Sequence, residues 1–348
     1  MVSVSGGKDD NALVGIALSL PRRFCELVAL SVMISSKTSF LPDPHLLVDL
    51  FQHKRYARMT SRAEQGLARQ WFLLFGQASK EWLLNPQPAT LRKLLPPDDR
   101  SWADPFLWKR RDEWFIFCEE WFPNKPHGHI SVIQVSRDGE VLAPAKPVLV
   151  KDHHLSYPFL FEHEGTLHML PEGGHGRAID VYQCEEFPGR WRKRATLMRN
   201  LQYVDATLFE HQTKWWLFLT IKRGLFALNR DLFVFWADTP LTDQWHPHPA
   251  NPVVRGFQSA RPAGRVFELG GKLFRPSQDC LVRYGHSLRI NEIVRLDVKQ
   301  YQERLVTEVS PGWEANICAN HHIDWQEGTV VMDAQRLLSR QAPQAVNS

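Results

Sequence analysis

Three observations in the sequence predict an all-β chain folded as a five-bladed β-propeller. A strand–turn–strand unit at 102–121 (WADPFLWKRRDEWFIFCEEW) returns at 157–172, 204–220 and 261–280, and in degraded form at 320–335. Counting eight residues forward from Asp104, Tyr157, Asp205, Ala263 and Asn320 lands on Asp112, Gly165, Thr213, Gly271 and Gly328, types suited to tight hairpin turns. The copies are 53, 48, 58 and 57 residues apart, close to the roughly 40–50 residues of one four-stranded blade.

The elements follow in order. Residues 1–69 are expected to be a small, mainly helical extension, frayed over 1–11. Its apolar stretch 12–34 is broken by Pro21-Arg22-Arg23, so neither half reaches a transmembrane length. It also lacks the basic start and cleavage site of a signal peptide. Residues 46–68 read as an amphipathic helix with His53, Lys54, Arg55, Arg58 and Arg62 on its charged face. The propeller is placed at 70–336. QWFLLFG (70–76) is read as a strand that closes the ring by completing the blade of the C-terminal copy, and 85–100 as a Pro-rich linker. Outer strands are expected at 128–136, 147–152, 178–185, 191–198, 231–238 and 286–297, then a polar run before the fifth copy. Residues 337–348 are expected to be a disordered tail.

Composition narrows the function classes. Of 348 residues, 43% are hydrophobic, enough for a sizeable core, and most of the 13 Trp and 20 Phe fall where blades pack together. The net charge of +4 is spread out; the densest basic runs, 108–113 and 190–194, lie in turns or blade edges. A continuous basic stripe is missing, so nucleic acid is not an expected partner. Cysteines 25, 118, 184, 280 and 318 form no CxxC, which points to reduced thiols and a cytoplasmic location. No cofactor is expected, since P-loop, dinucleotide and nucleophile-elbow motifs are missing. No metal site is expected either: the pairs His153-His154 and His321-His322 are adjacent, and His246 and His248 lack carboxylate or Cys partners in ligand spacing.

Propeller geometry brings first-strand starts and second-strand ends to one mouth of the central channel. Asp104, Tyr157 and Asp205 are the predicted strand starts, with Arg261 just before its strand. Glu119, Glu120, Glu172 and Asp279 arrive as strand ends, with His154, Lys222, Arg275, Gln278 and Tyr284 as neighbours. A carboxylate at a strand start can instead bind backbone N–H groups. The density of carboxylates favours a site, since glycosyl transfer uses one as acid and a second as base or nucleophile. Arg261 and Arg275 would grip a phosphate or sugar carboxylate in bidentate fashion.

The strings WADPF (102–106), GHISV (128–132), HLSYPF (154–159), LPE (170–172), VDATLF (204–209), ARPAGR (260–265), RPSQDC (275–280) and YG (284–285) carry a resemblance. Over about 70–335 the chain resembles the propeller domain of plant glucosamine inositolphosphorylceramide transferases and their bacterial relatives, and more distantly the glycoside hydrolase family 43 propellers. The first resemblance implies a sugar or sugar-phosphate ligand, a role in glycosyl transfer or glycoconjugate synthesis, and a separate transferase as partner. The second implies Asp104 as base and Asp205 as modulator of the acid. At the blade-four position of that family's acid the chain has Arg261-Pro262-Ala263 and no Glu, which leaves Glu172, or Asp279, to stand in as acid. Hydrolysis of the family 43 kind, and a non-catalytic interaction scaffold with structural carboxylates, remain the alternatives.

Overall fold

Five antiparallel sheets follow one another along the chain, each one blade, in a computed structural model that describes residues 67–173, 177–222 and 229–339 together with 54, 56, 59, 64 and 66. Blade 1 is Ser101–Arg110, Glu113–Trp121, His129–Val135 and Lys146–Leu149. Blade 2 is Ser156–His163, Thr166–Glu172, Ala178–Glu186 and Arg190–Arg199. Blade 3 is Tyr203–His211, Lys214–Ile221 and Asp231–Ala237, with edge pieces His246–Pro247 and Val254–Arg255. In blade 4 the inner strand is split into Arg261–Pro262 and Phe267–Leu269, followed by Lys272–Asp279, Ser287–Leu296 and Tyr301–Val309.

Blade 5 closes the ring as expected. Its inner pieces Ile317–Ala319 and Ile323–Gln326 pair with Thr329–Ser339, which pairs along its whole length with the N-terminal strand Leu67–Gln77; Arg92–Leu94 lies outermost. One blade built from both ends of the propeller removes the two free sheet edges that an open ring would leave.

The eight-residue rule holds at the hairpins. Glu164-Gly165, Gln212-Thr213, Gly270-Gly271 and Glu327-Gly328 all have positive φ at both turn residues, the geometry of a two-residue hairpin that follows the strand twist. In blade 1 the positive φ falls on Arg111, one residue before Asp112.

Several boundaries differ from the sequence reading. The polar run after 297 is the fourth strand of blade 4, Tyr301–Val309, and part of the linker is the short strand Arg92–Leu94. Both are outermost strands, whose exposed side chains carry little hydrophobic signal. The helix expected to Ala68 ends earlier, because Leu67 and Ala68 already pair with Ser339 and Leu338. That pairing also takes 337–339 out of the expected tail. Lys54, Tyr56 and Met59 are helical; the other residues of the expected extension up to 63, with residue 65 and 340–348, lie outside the described residues. Among the described residues no helix is long and apolar enough to cross a membrane.

The core is the packing between blades. Phe106 meets Tyr157 and Phe159 edge to face, and Phe117 packs on Phe187 and Trp191. Such offset aromatic contacts add to the stabilisation from area burial alone. Away from the mouth, the centre is plugged by Arg265. Its guanidinium reaches the carbonyls of Leu160 and Leu107 and the carboxylate of Asp324 (2.8 Å), across the rings of Phe106 and Phe159.

Candidate functional site at the channel mouth

Three inner strands carry the same irregularity, and it aims their side chains. Asp104-Pro105 opposes Cys118, Tyr157-Pro158 opposes Pro171, and Asp205-Ala206 opposes Leu219: two residues against one, a bulge repeated in blades 1, 2 and 3. The first residue of each pair has left-handed φ, +50°, +44° and +54°. That conformation costs about 1–2 kcal/mol for a non-glycine residue, so the surroundings must impose it. Bulges of this kind re-aim side chains. The equivalent positions in blades 4 and 5, Ala263 and Asn320, fall in the breaks of the split inner strands.

Around the mouth the polar groups form one connected set. Arg261 donates from Nε to Asp205 Oδ2, from Nη2 to Asp205 Oδ1 (3.3 Å) and from Nη1 to Asn229 (2.8 Å), and its Nη2 lies 3.8 Å from Glu172. Gln278 donates to Asp205 (3.0 Å) and to the Pro262 carbonyl, and the Asp205 N–H donates to Glu172 (3.3 Å). The Arg261 guanidinium lies 4.7 Å from the ring centre of Tyr284, whose hydroxyl is 3.0 Å from His321 Nε2. His321 in turn is 3.5 Å from Asp104 and, through Nδ1, 2.7 Å from Asp333. Nearby, His154 pairs with Glu119 at 3.2 Å and accepts the Gly128 N–H.

Burial sets the protonation of these groups. Loss of solvation pushes the Asp104 carboxyl up to about 8; the His321 charge opposes this, and Asp205, Glu119 and Asp333 add to it. Burial likewise lifts Glu172 well above the carboxylate range, reinforced by Asp205 and opposed by Arg261. For His321 burial works against the charge, but Asp333 and Asp104 outweigh it and raise the imidazole to about 9. For His322 burial outweighs the opposing Asp333 charge and, helped by the His321 charge, drops the imidazole to about 3. Burial disfavours the Asp333 carboxylate too, yet His321 beside it holds it below its ordinary value. At neutral pH Asp104 therefore keeps a proton and His321 is an imidazolium facing the Asp333 carboxylate.

Not every predicted residue reaches this set. Arg275 is not brought to the mouth: its side chain is buried in blade 4, where it pairs with Glu303 (2.7 Å) and the Ser259 carbonyl. Glu120 is taken up inside blade 1 by Trp102, His129, Ser131 and Arg100. Although burial opposes it, these donors hold its carboxyl at about 2. The Tyr157 hydroxyl contacts Thr207 (2.7 Å) and accepts the Gly264 N–H (2.9 Å), tying blade 2 to blades 3 and 4. Asp279 accepts the Leu281 N–H and pairs with Arg289. Asp104, Asp205, Glu172, Glu119, His154, Arg261, Gln278 and Tyr284 are the predicted residues that meet.

Sequence reasoning missed Asp333 and Asn229. Asp333 had a readable signal, a lone carboxylate inside the apolar strand VVMDA. Among the described residues, Asp104, His321 and Asp333 are the one group whose possible ligand atoms all lie within 4.8 Å of one another. His321 Nε2 is bonded to Tyr284 and Nδ1 lies 2.7 Å from the Asp333 carboxylate, close enough for an ion pair though out of line for a hydrogen bond, so we read the group as an ion-paired chain. Of the other histidines, His246 stacks on Trp236 and His248 contacts the Asp297 carbonyl.

The protonation of Asp104 has a measurable consequence. A carboxyl whose pKa rises from 3.8 to about 8 on folding stabilises the fold most below pH 3.8, and that contribution is lost as pH rises towards 8. Asp104→Asn cannot ionise, so calorimetric melting is expected to show the variant gaining on the parent between pH 5 and pH 8.5. A constant difference over that range would mean Asp104 is already ionised at pH 5. Below pH 6.5 the His321 contribution is complete in both proteins and the change reports Asp104 alone; above it the variant also loses the Asp104 charge that helps to raise His321.

Comparison with known proteins adds the family. Residues 97–341 match the family model described as glucosamine inositolphosphorylceramide transferase 1, N-terminal. Proteins named glucosamine inositolphosphorylceramide transferase 1 from Oryza sativa subsp. japonica and from Arabidopsis thaliana are each 32% identical, over 68% and 58% of this chain. The chain spans 33% and 26% of their lengths. Among solved structures, an α-L-arabinofuranosidase from Podospora anserina in complex with cellotriose (TM-score 0.51, 11% identity) matches 70% of this chain and 93% of its own. The catalytic domain of a GH62 α-L-arabinofuranosidase from Coprinopsis cinerea (TM-score 0.51, 10% identity) matches 76% and 97%. At such identities these two speak for the fold alone. Five blades closed by the N-terminal strand, and a family match over most of the propeller, identify the chain as a member of the glucosamine inositolphosphorylceramide transferase 1 N-terminal family.

Proposed function

We propose that the mouth binds a sugar or glycolipid head group in glycosyl transfer for glycolipid synthesis, and holds it by hydroxyl and amino groups more than by phosphate. The bond-making step would fall to a separate transferase. The observation that carries this reading is the engagement of Arg261. Three of its five N–H groups are bonded to Asp205 and Asn229 and Glu172 lies 3.8 Å away, so its charge is already offset by the protein, which argues against the phosphate anchor that its sequence position suggests. What remains partly open at the mouth is Glu119, Glu172, His154 and Tyr284. Carboxyl groups beside an aromatic ring suit sugar hydroxyls, and Glu119, rather than Glu172 whose proton burial retains, suits a sugar ammonium. The names of the sequence relatives, which refer to glucosamine and a transferase, agree with this chemistry.

Two features weigh against family 43-like hydrolysis. Arg261 stands where the resemblance calls for a glutamic acid, and the proposed base, Asp104, holds its proton to about pH 8. The proposal is tested by titration calorimetry of the full chain with methyl glucosaminide, methyl glucoside, myo-inositol 1-phosphate and an arabino-oligosaccharide, with product analysis. Binding of the glucosaminide without that of the inositol phosphate, and no new products, is the expected result. Cleavage of the arabino-oligosaccharide would restore the hydrolase reading. Silence from every sugar would leave the propeller as an interaction scaffold.

A further inference from the structure

The Tyr284 hydroxyl occupies a specific electrostatic position. It ends a chain that runs inward through His321 to Asp333: the Tyr284 residue is 41% exposed and the other two are essentially buried, while burial of the hydroxyl end holds the phenol well above its ordinary value. Asp333 lies 2.7 Å from His321 Nδ1, and its carboxylate also accepts the backbone N–H groups of Asp104, His321 and His322, each at 3.0 Å. The imidazole is clamped on its face by Trp71, stacked at 4.2 Å and 22°. The turn that presents Tyr284 is fitted to the same ring: Gly285 has φ +60°, and a Cβ there would come within 2.9 Å of the His321 side chain. A side chain at 285 would force either this turn or the His321 ring to shift.

We propose that Asp333, His321 and Tyr284 form a positioning chain that fixes the Tyr284 hydroxyl as a hydrogen-bond donor towards an acceptor oxygen of the ligand in the mouth. The inference rests on the reading of the mouth as a sugar site and names one of its specificity determinants. With Nδ1 facing the Asp333 carboxylate, a doubly protonated His321 has its Nε2–H directed at the Tyr284 oxygen, 3.0 Å away. That oxygen is then an acceptor towards the protein, and its own hydrogen must point elsewhere. No acceptor for it is found among the described residues, so it is offered to the mouth. An ether, ring or hydroxyl oxygen would be accepted at this point, whereas an ammonium would be refused.

The donor character depends on His321 carrying both protons. The groups that face it are Asp333, Asp104 and Tyr284, with Arg261 behind the Tyr284 ring, neutral His322 next in the chain and the uncharged Trp71 on its face. Their sum keeps His321 protonated to about pH 9. Above that pH, Nε2 becomes the acceptor, the tyrosine turns its hydrogen inward, and the mouth is left facing a lone pair.

The test uses the full chain labelled with 15N-histidine, the Tyr284→Phe variant, which keeps the ring over Arg261, and methyl glucoside, a probe without a titrating group. One histidine is expected to hold both ring protons through pH 8, and its Nε2 resonance should move in Tyr284→Phe. Methyl glucoside should bind Tyr284→Phe about tenfold more weakly at pH 7, the effect of one hydrogen bond to a polarised donor. Its affinity for the parent should fall between pH 8 and 10, with no such fall in the variant. No doubly protonated histidine at pH 7, or a variant with the parent's affinity and pH profile, would overturn the proposal. If neither methyl glucoside nor methyl glucosaminide binds either protein, the sugar reading of the mouth fails, and the Nε2 resonance alone decides whether His321 donates to Tyr284; binding of the glucosaminide without the glucoside would overturn a Tyr284 donor for neutral oxygens.

Discussion

Replacing Arg265 with alanine is expected to destabilise the protein by about 3–5 kcal/mol, the usual cost of stripping one partner from a buried ion pair. The change removes three kinds of contact at once. Asp324, fully buried, loses its 2.8 Å partner; the carbonyls of Leu160 and Leu107 lose a donor; and Phe106 and Phe159 lose the guanidinium that lies over them. The losses span four of the five blades, because Arg265 belongs to blade 4, Asp324 to blade 5, Leu107 to blade 1 and Leu160 to blade 2. Asp324 also accepts the Leu107 N–H at 2.8 Å, so the backbone next to it loosens too.

The deficit has a pH signature. Burial lifts the Asp324 carboxyl to about 6, and Arg265 is what restrains it. A raised carboxyl favours folding below its unfolded value of 3.8, and that benefit is lost as pH climbs to the folded value. Without Arg265 the folded value rises further and the loss continues to higher pH. Urea unfolding should therefore show a smaller deficit at pH 5 than at pH 7.5. Arg265→Lys should recover only part of it, since an ammonium cannot reproduce the planar fork.

Arg261→Ala is expected to cost a similar amount, about 3–5 kcal/mol, for a different reason. Here the group left behind is Asp205, with no exposed surface, which keeps Gln278 but loses both guanidinium contacts, while Glu172 loses the cation 3.8 Å away. Two carboxylates that share a buried site cannot both stay ionised. The variant is expected to recover stability towards acid pH, and Arg261→Ala/Asp205→Asn should be more stable than Arg261→Ala alone. If the double variant is the less stable of the two, Asp205 has a favourable role that does not depend on Arg261.

The sequence exposed the repeat because inner and second strands are buried on both faces and their hairpins need particular residues. Phe106, Leu107, Ile116 and Phe117 in blade 1 are fully buried; the Leu107 position is apolar in every copy, and the other three stay apolar in most of them. Outermost strands such as Tyr301–Val309 face solvent, so YQERLVTEV read as a polar run. Asp104, Asp205, Glu172 and Arg261 were legible as a group, since blade geometry alone decides which strand ends converge. What stayed hidden was side-chain direction. Arg275 lies in the right strand, but four residues in from its mouth end, and turns to Glu303. Glu119 and Glu120 are neighbours with opposite fates, as the strand period of two requires: one pairs with His154 at the mouth, the other disappears among Trp102, His129 and Ser131. The placement of Arg261 against Asp205 joins residues 56 positions apart, and no local pattern announces it.

The most direct test of a sugar site at this mouth is a crystal structure of the chain soaked with methyl glucosaminide. The sugar is expected between Tyr284, Glu119 and His154, with its amine turned to Glu119 and an oxygen at the Tyr284 hydroxyl. A sugar bound elsewhere would contradict the account. The cleft of about 560 Å³ between blades 1 and 2, lined by Arg110, Arg111, Lys146 and Phe187, is the obvious rival location.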